Sequence, residues 1–239
     1  MRLGRGGPQG EDAIFMDLQQ GLFAVADGSE RASGASQRLT NRLARMAADF
    51  RGVGRALTRG SGDVTRVVER FKGAVESVLA AVPYGDATTL TALMVVRCPK
   101  ETMGILCHSG DSLLYHYNPE SGLRQISQTN FWMAGRSKKV YQAEAFPSPA
   151  GSVFLLATDG IWDLRFPGPS GMEGCLAESI QETPVAGVPG DLLARYDSGS
   201  GTVDDVALIA VRPEGLRRSR EQIFVDVHGV CRRTLSLCS

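Results

Sequence analysis

The sequence predicts an α+β fold: an antiparallel β core, arranged as two sheets, with helices packed outside. Three observations predict it. Short apolar segments of strand length follow one another with short links, which favours antiparallel pairing. Two long segments have helical periodicity, and they fall together between the early strands and the later ones. They do not alternate with strands, which excludes a doubly wound parallel sheet.

In chain order, residues 13–18 and 22–26 read as strands on either side of Gln19-Gln20-Gly21, a hairpin turn. The first helical stripe is Leu39, Leu43, Met46, Ala47 and Phe50. The second is Val67, Val68, Phe71, Val75, Val78, Leu79 and Val82, with Arg66, Glu69, Arg70 and Lys72 filling much of the other side. Each buries one face against something else. Strands at 90–97, 102–107, 113–117 and 122–126 follow, and 152–158 and 206–211 complete the set. Residues 166–174 and 184–201, rich in Gly and Pro, read as loops around a short helix at 175–181. Past Arg212 the chain turns basic, so the expectation is one domain over 1–212 and a tail of uncertain structure over 213–239.

Composition narrows the function. The chain has 239 residues, 43% of them hydrophobic and 22% charged, ordinary values for a soluble globular protein with a sizeable core. Its 26 basic and 26 acidic residues cancel, so no global field attracts nucleic acid or an anionic membrane. Arg217, Arg218 and Arg220 form a local basic cluster that reads as a solvated run. The five cysteines are scattered, odd in number and form no close pair, which speaks against a zinc site or a disulfide framework and for a reducing compartment. The N-terminus lacks the apolar stretch of a secretory signal, and no apolar run is long enough to span a bilayer. A cytoplasmic monomer is expected.

Five acidic sites sit where strands end or begin: Glu11-Asp12, Asp27-Gly28, Gly110-Asp111, Asp159-Gly160 and Asp204-Asp205. One Asp-Gly after a strand is an ordinary turn signal. Five such sites are harder to dismiss, because converging carboxylates repel one another unless a cation holds them. Hard divalent cations take oxygen ligands, and a glycine after the Asp lets the backbone come close enough to add a carbonyl. Two such cations can clamp a phosphoryl group for in-line attack.

In this order the segments resemble the metal-dependent protein phosphatases, the PPM or type 2C family. Gly-Leu-Phe-Ala-Val-Ala-Asp-Gly at 21–28 is very close to the family's second motif, and Leu-Leu-Ala-Thr-Asp-Gly-Ile-Trp-Asp at 155–163 nearly matches its late Asp-Gly motif. Glu11-Asp12, Ala87-Thr88-Thr89-Leu90, Gly110-Asp111-Ser112 and Asp204-Asp205-Val206 look like the remaining four. Each motif alone is weak, but their shared order from 10 to 211 is not. The resemblance implies a β-sandwich flanked by helices in α-β-β-α layers. It implies hydrolysis of phosphoserine or phosphothreonine on proteins by a hydroxide bridging two Mn²⁺ or Mg²⁺ ions, with a cognate Ser/Thr kinase as counterpart. Asp27 would bridge both metals and the Gly28 carbonyl would bind the first. Asp159 and Asp204 would hold the second. Glu11 and Asp12 would act mainly through water and hydrogen bonds, and Asp111 would share a third, weaker ion with Asp159.

The chain departs from the family at three places. Gly7 stands where a phosphate-binding arginine is usual, and Arg5 is the nearest candidate to replace it. Ser29-Glu30-Arg31-Ala32 follows the second motif, where relatives carry a histidine tied to leaving-group protonation. His108 and His116 read as structural. The stretch 127–150, available for the family's flap, is short, leaving specificity relaxed or set by a partner. Within it, Phe131, Trp132 and Met133 are expected to cover a sheet edge as core, with a protein-binding surface as the other reading. A catalytically weak or inactive binding module on the same fold, and a hydrolase of small phosphate esters, are the alternative functions.

Overall fold

The computed structural model describes residues 11–28, 34–58, 63–163, 166, 171–195, 204–216, 221–226 and 229–234. Its strands are β1 (Ala13–Asp17), β2 (Leu22–Ala26), β3 (Leu90–Arg97), β4 (Thr102–Ser109), β5 (Leu113–Asn118), β6 (Gly122–Gln125), β7 (Gln142–Ser148), β8 (Val153–Ala157), β9 (Leu208–Val211), β10 (Glu221–Asp226) and β11 (Gly229–Thr234). The helices are α1 (Ala35–Thr58), α2 (Val64–Ala80), α3 (Gly171–Glu182) and α4 (Val188–Arg195). One sheet runs β11-β10-β1-β2-β3-β4-β7 and the other β6-β5-β8-β9. Every strand pair is antiparallel, and β1–β2, β3–β4, β5–β6 and β10–β11 are joined by the short links that demand it.

Three apolar clusters define the layers. Leu22, Ala24 and Ala26 of β2 pack with Leu39 and Leu43 of α1 and Phe71 and Val75 of α2. The intervening Phe23 and Val25 pack through the middle with Leu114, Phe154, Leu156 and Ile209 of the smaller sheet. On that sheet's far face, Leu113, Tyr115 and Leu155 meet Leu176 and Ile180 of α3 and Leu192 of α4. Successive side chains of a strand point to opposite faces, so a strand buried on both sides reads as a continuous apolar run. All five residues of β2 and all five of β8 are buried for this reason. The result is the α-β-β-α sandwich that the family resemblance implies.

Some elements differ from expectation. The stretch 184–201, read as loop, contains α4; Pro189 occupies its first turn, where a missing N–H is harmless, and Val188, Leu192 and Leu193 are buried. The short helix expected at 175–181 is the longer α3. β7 lies in the flap stretch at the edge of the larger sheet, where Pro147 is tolerated. Beyond Arg212 the chain forms the β10–β11 hairpin, which pairs with β1, Ile14 opposite Val225 and Phe15 opposite Phe224. Among the described residues, no helix is long and apolar enough to cross a membrane.

Candidate metal centre

The strand ends that carry acidic residues lie at one end of the sandwich. In the larger sheet Val25 pairs with Thr91 and Leu90 with Ser109, so the end of β2, the start of β3 and the end of β4 are level. In the smaller sheet Leu113 and Leu208 both pair with Ala157, aligning the start of β5, the end of β8 and the start of β9. Asp27 follows β2, Asp111 sits in the turn between β4 and β5, and Asp159 opens a short 3-10 helix (Asp159–Asp163) just past β8.

These three side chains meet. Carboxylate oxygens of Asp27, Asp111 and Asp159 all lie within 4.8 Å of one another, and each residue is partly open to solvent. Backbone bonds fix the first of them: the Asp27 carbonyl accepts from Thr89 N–H (2.8 Å) and from the Thr88 hydroxyl (2.6 Å), and Asp27 N–H donates to Thr89 Oγ1 (3.0 Å). Gly110 makes the turn that presents Asp111. Its φ of +108° suits glycine, and a Cβ there would sit 2.7 Å from the Thr89 side chain. Gly160 lets the Asp159 turn close against the neighbouring acidic pair, since a Cβ would fall 2.1 Å from the Asp205 carbonyl oxygen.

Asp12 lies beside this cluster, buried at the start of β1. Its Oδ2 accepts from the Thr158 hydroxyl (2.6 Å), whose oxygen accepts in turn from Ala207 N–H (2.8 Å). Burial first, then the charges of Asp12 and Asp159, push Asp27 up to about 10, and its hydrogen bond with Asp12 adds to the rise. Burial also raises Asp12, to about 8, against the opposing pull of its bonds from Thr158 and Asp27. Asp111 is raised by burial as well. Glu11 is tied in through its backbone; its N–H donates to Asp205 Oδ2 (3.1 Å) and its carbonyl accepts from Gly28 N–H (3.1 Å) and the Ser36 hydroxyl.

The residues fit a hard cation. The donors are all oxygens, their negative charges are crowded enough to hold a proton at neutral pH, and Asp111 Oδ1 is buried without a hydrogen-bond partner. Gly28 supports the same end of β2, where a Cβ would sit too close to the Glu11 carbonyl oxygen, at 2.9 Å.

Asp204, also expected here, stands close enough to Asp12 for its charge to help raise that carboxyl. Asp204 is exposed, and its Oδ1 accepts from the following N–H of Asp205 (2.8 Å). Asp205 is the buried member of that pair. The doubled Asp was the only signal for it. Asn130, which sequence reasoning missed altogether, bonds Gly110 in both directions: Asn130 N–H to the Gly110 carbonyl (2.9 Å) and Gly110 N–H to Asn130 Oδ1 (3.0 Å). Arg5, Gly7 and residues 29–32 lie outside the described residues. Both interior histidines are held in structural bonds. His108 Nε2 donates to the Gln128 carbonyl (3.2 Å), which leaves Nδ1 to accept from Thr91 Oγ1 (2.9 Å). His116 bonds Ser152 and packs against Phe146 and Phe154. Burial lowers each to about 4, so both are neutral at pH 7. Phe131 and Trp132 do not cover a sheet edge as core; they are 86% and 45% exposed.

A two-sheet α-β-β-α sandwich with a carboxylate cluster at one end of its strands is the architecture of the PPM phosphatases. No protein-family model and no curated protein matches the sequence. Solved structures do match. The catalytic domain of the serine/threonine protein phosphatase PstP, crystallised with two manganese ions, superposes with a TM-score of 0.62 at 22% identity, covering 89% of this chain and 97% of that one. The PPM Ser/Thr phosphatase MsPP from Mycobacterium smegmatis, in complex with cacodylate, gives 0.60 at 18%, with 88% and 96% covered. RsbX in complex with magnesium gives 0.60 at 18%, with 88% and 91% covered. The chain has the PPM phosphatase fold, and Asp27, Asp111 and Asp159 form an acidic cluster suited to the kind of ion those structures hold.

Proposed function

We propose that the protein is a metal-dependent Ser/Thr protein phosphatase that hydrolyses phosphoserine and phosphothreonine on proteins modified by a cognate kinase. The observation that carries this reading is the meeting of Asp27, Asp111 and Asp159 at one end of a PPM-type sandwich, with a buried Asp111 oxygen left for a ligand. In this reading Asp27, Asp159 and Asp111 hold two or three Mn²⁺ or Mg²⁺ ions, joined by Asp204 and the Gly28 carbonyl. Divalent cations held there neutralise phosphoryl oxygens and supply a nucleophile at neutral pH. Thr88 and Thr89 hold the Asp27 backbone rigid, and Thr158 orients Asp12 toward Asp27. Glu11 and Asp12 act through water and hydrogen bonds, and Arg5 binds the substrate phosphate. Neither His108 nor His116 protonates the leaving group, because each is neutral and already bonded. Water is the remaining proton source.

The test is hydrolysis of p-nitrophenyl phosphate and of a phosphopeptide after chelator stripping, with and without added Mn²⁺. Turnover of both that requires the ion is expected. Full activity in stripped protein would exclude the metal mechanism. Metal binding with no turnover would instead favour a non-catalytic binding module, a reading to which the exposed position of Asp204 lends some support.

A further inference from the structure

Four of the six large hydrophobic side chains most exposed among the described residues are aromatic and lie on two adjoining loops. They are Tyr84 (94%), Phe131 (86%), Trp132 (45%) and Tyr141 (45%). Gly85 N–H donates to the Gly135 carbonyl (3.2 Å) and joins the loops. The segment 130–141 is not a loose excursion. Asn130 anchors it to Gly110, beside Asp111, and its Oδ1 also accepts from Trp132 N–H (2.9 Å). Ala134 exchanges backbone bonds with Thr88 (2.8 and 3.3 Å), and Tyr141 N–H reaches Ser109 Oγ (3.1 Å). Gly110, Thr88 and Ser109 are, or adjoin, the residues that fix Asp27 or Asp111, while Val140 N–H bonds Glu76 Oε1 of α2 (3.2 Å). The loop is therefore bonded to the rim of the metal centre while its rings face outward, Trp132 edge-on to Tyr141 at 5.8 Å between centroids.

The same segment is basic. Arg136, Lys138 and Lys139 are exposed, and no acidic residue occurs between 127 and 141, in a chain whose formal charges otherwise cancel. Ordered aromatic rings beside exposed cations are the composition of a recognition surface. Its charge complements an anionic chain.

We infer that loop 130–141, with Tyr84 beside it, docks the stretch of substrate protein flanking the phosphoresidue, and that this stretch is acidic with an apolar side chain to cover the rings. The inference rests on the phosphatase reading above and names the substrate class of that same centre. The surface positions the peptide through contacts remote from the reacting phosphorus, so its effect falls on peptides and not on small esters.

The experiment uses the full chain with Mn²⁺ and two phosphoserine peptides, one flanked by Glu, Asp and Leu and the other with Lys at the acidic positions. Turnover is followed for both and for p-nitrophenyl phosphate, and binding is read separately by fluorescence anisotropy of labelled peptides. The acidic peptide is expected to be preferred about tenfold in kcat/KM, the preference shrinking as salt rises. Lys138→Glu with Lys139→Glu should abolish or invert the preference. Phe131→Ser with Trp132→Ala should weaken both peptides about tenfold while p-nitrophenyl phosphate turnover stays within about twofold, which also certifies folding. Equal handling of the two peptides by the unmodified protein overturns the inference. So does a concentration-dependent dimer that Phe131→Ser with Trp132→Ala dissolves without changing peptide handling, since the rings would then cover a second copy. If no substrate turns over but the charge-dependent binding preference persists, the docking surface stands and the phosphatase reading falls.

Discussion

Replacing Asp27 with Asn removes the ionisable group at the centre of the acidic cluster while keeping shape. Asp27 is raised from 3.8 to about 10, so the folded chain holds a proton that the unfolded chain releases anywhere between those values. Folding stability without metal must then fall as pH rises through that window. At pH 7 the gap from 3.8 is about 3 units, or about 4 kcal/mol at 1.36 kcal/mol per unit. Sharing of the proton with Asp12 and partial solvent access reduce this to about 2–4 kcal/mol. Asn escapes that penalty. In chelator at pH 7, Asp27→Asn should therefore melt higher than the unmodified protein by roughly 4–16 °C, using about 2–4 °C per kcal/mol for a chain of this size. At pH 5 the advantage should shrink to less than half. Mn²⁺ should raise the melting temperature of the unmodified protein, by the equivalent of about 2.7 kcal/mol at a hundredfold excess over Kd, and leave the variant nearly unmoved. Turnover in the variant should drop roughly 10²-fold or more. Thermal melts with and without Mn²⁺ at the two pH values provide the readout. A variant that melts at or below the parent in chelator, and gains as much from metal, would refute both the placement of Asp27 and the electrostatic reasoning.

His108 and His116, each lowered to about 4, should show no imidazole titration above pH 5 by NMR; a midpoint near 6.5 for either would mean it is solvated or paired with an acid. Because their folded values lie below the unfolded one, they make the protein lose stability as pH falls from about 6.5 toward 4, opposite in sign to Asp27. Gly160→Ala should destabilise by about 1–3 kcal/mol or more and impair metal binding, since the added carbon meets the Asp205 carbonyl at 2.1 Å; chemical denaturation and metal titration check it, and an unchanged midpoint would deny the close approach. Arg5→Ala should raise KM for a phosphopeptide about tenfold with metal affinity unchanged, whereas an unaltered KM would leave Arg5 a terminal charge.

The sandwich was legible because its interior strands are buried on both faces, so β2 and β8 are unbroken apolar runs, and β3 is one apart from Thr91 and Arg97; such runs need no tertiary information to recognise. The edges were not. β7 alternates weakly and contains Pro147, features that only an edge position excuses. In β10 the apolar run Ile223-Phe224-Val225 follows a basic stretch and pairs with β1 across most of the chain length, a contact no local pattern encodes. The acidic cluster was legible as Asp residues at strand ends. Which of Asp204 and Asp205 turns inward was not, because adjacent residues near a strand face opposite ways and their sense depends on register. Asn130 carries no signature either. Its value lies in reaching Gly110, twenty residues away.

The Thr158 hydroxyl has a consequence for how this sandwich tolerates change. Apolar packing between the two sheets is non-directional, and many combinations of ring and methyl fill it about equally well. A hydroxyl that gives its proton to Asp12, at the start of β1, and takes one from Ala207, at the start of β9, has no such freedom. It acts as a key in a sliding joint, admitting one alignment of the larger sheet on the smaller. Drift in the core between Phe23 and Phe154 can then be absorbed by repacking, without carrying the acidic ends of β2 and β8 out of step.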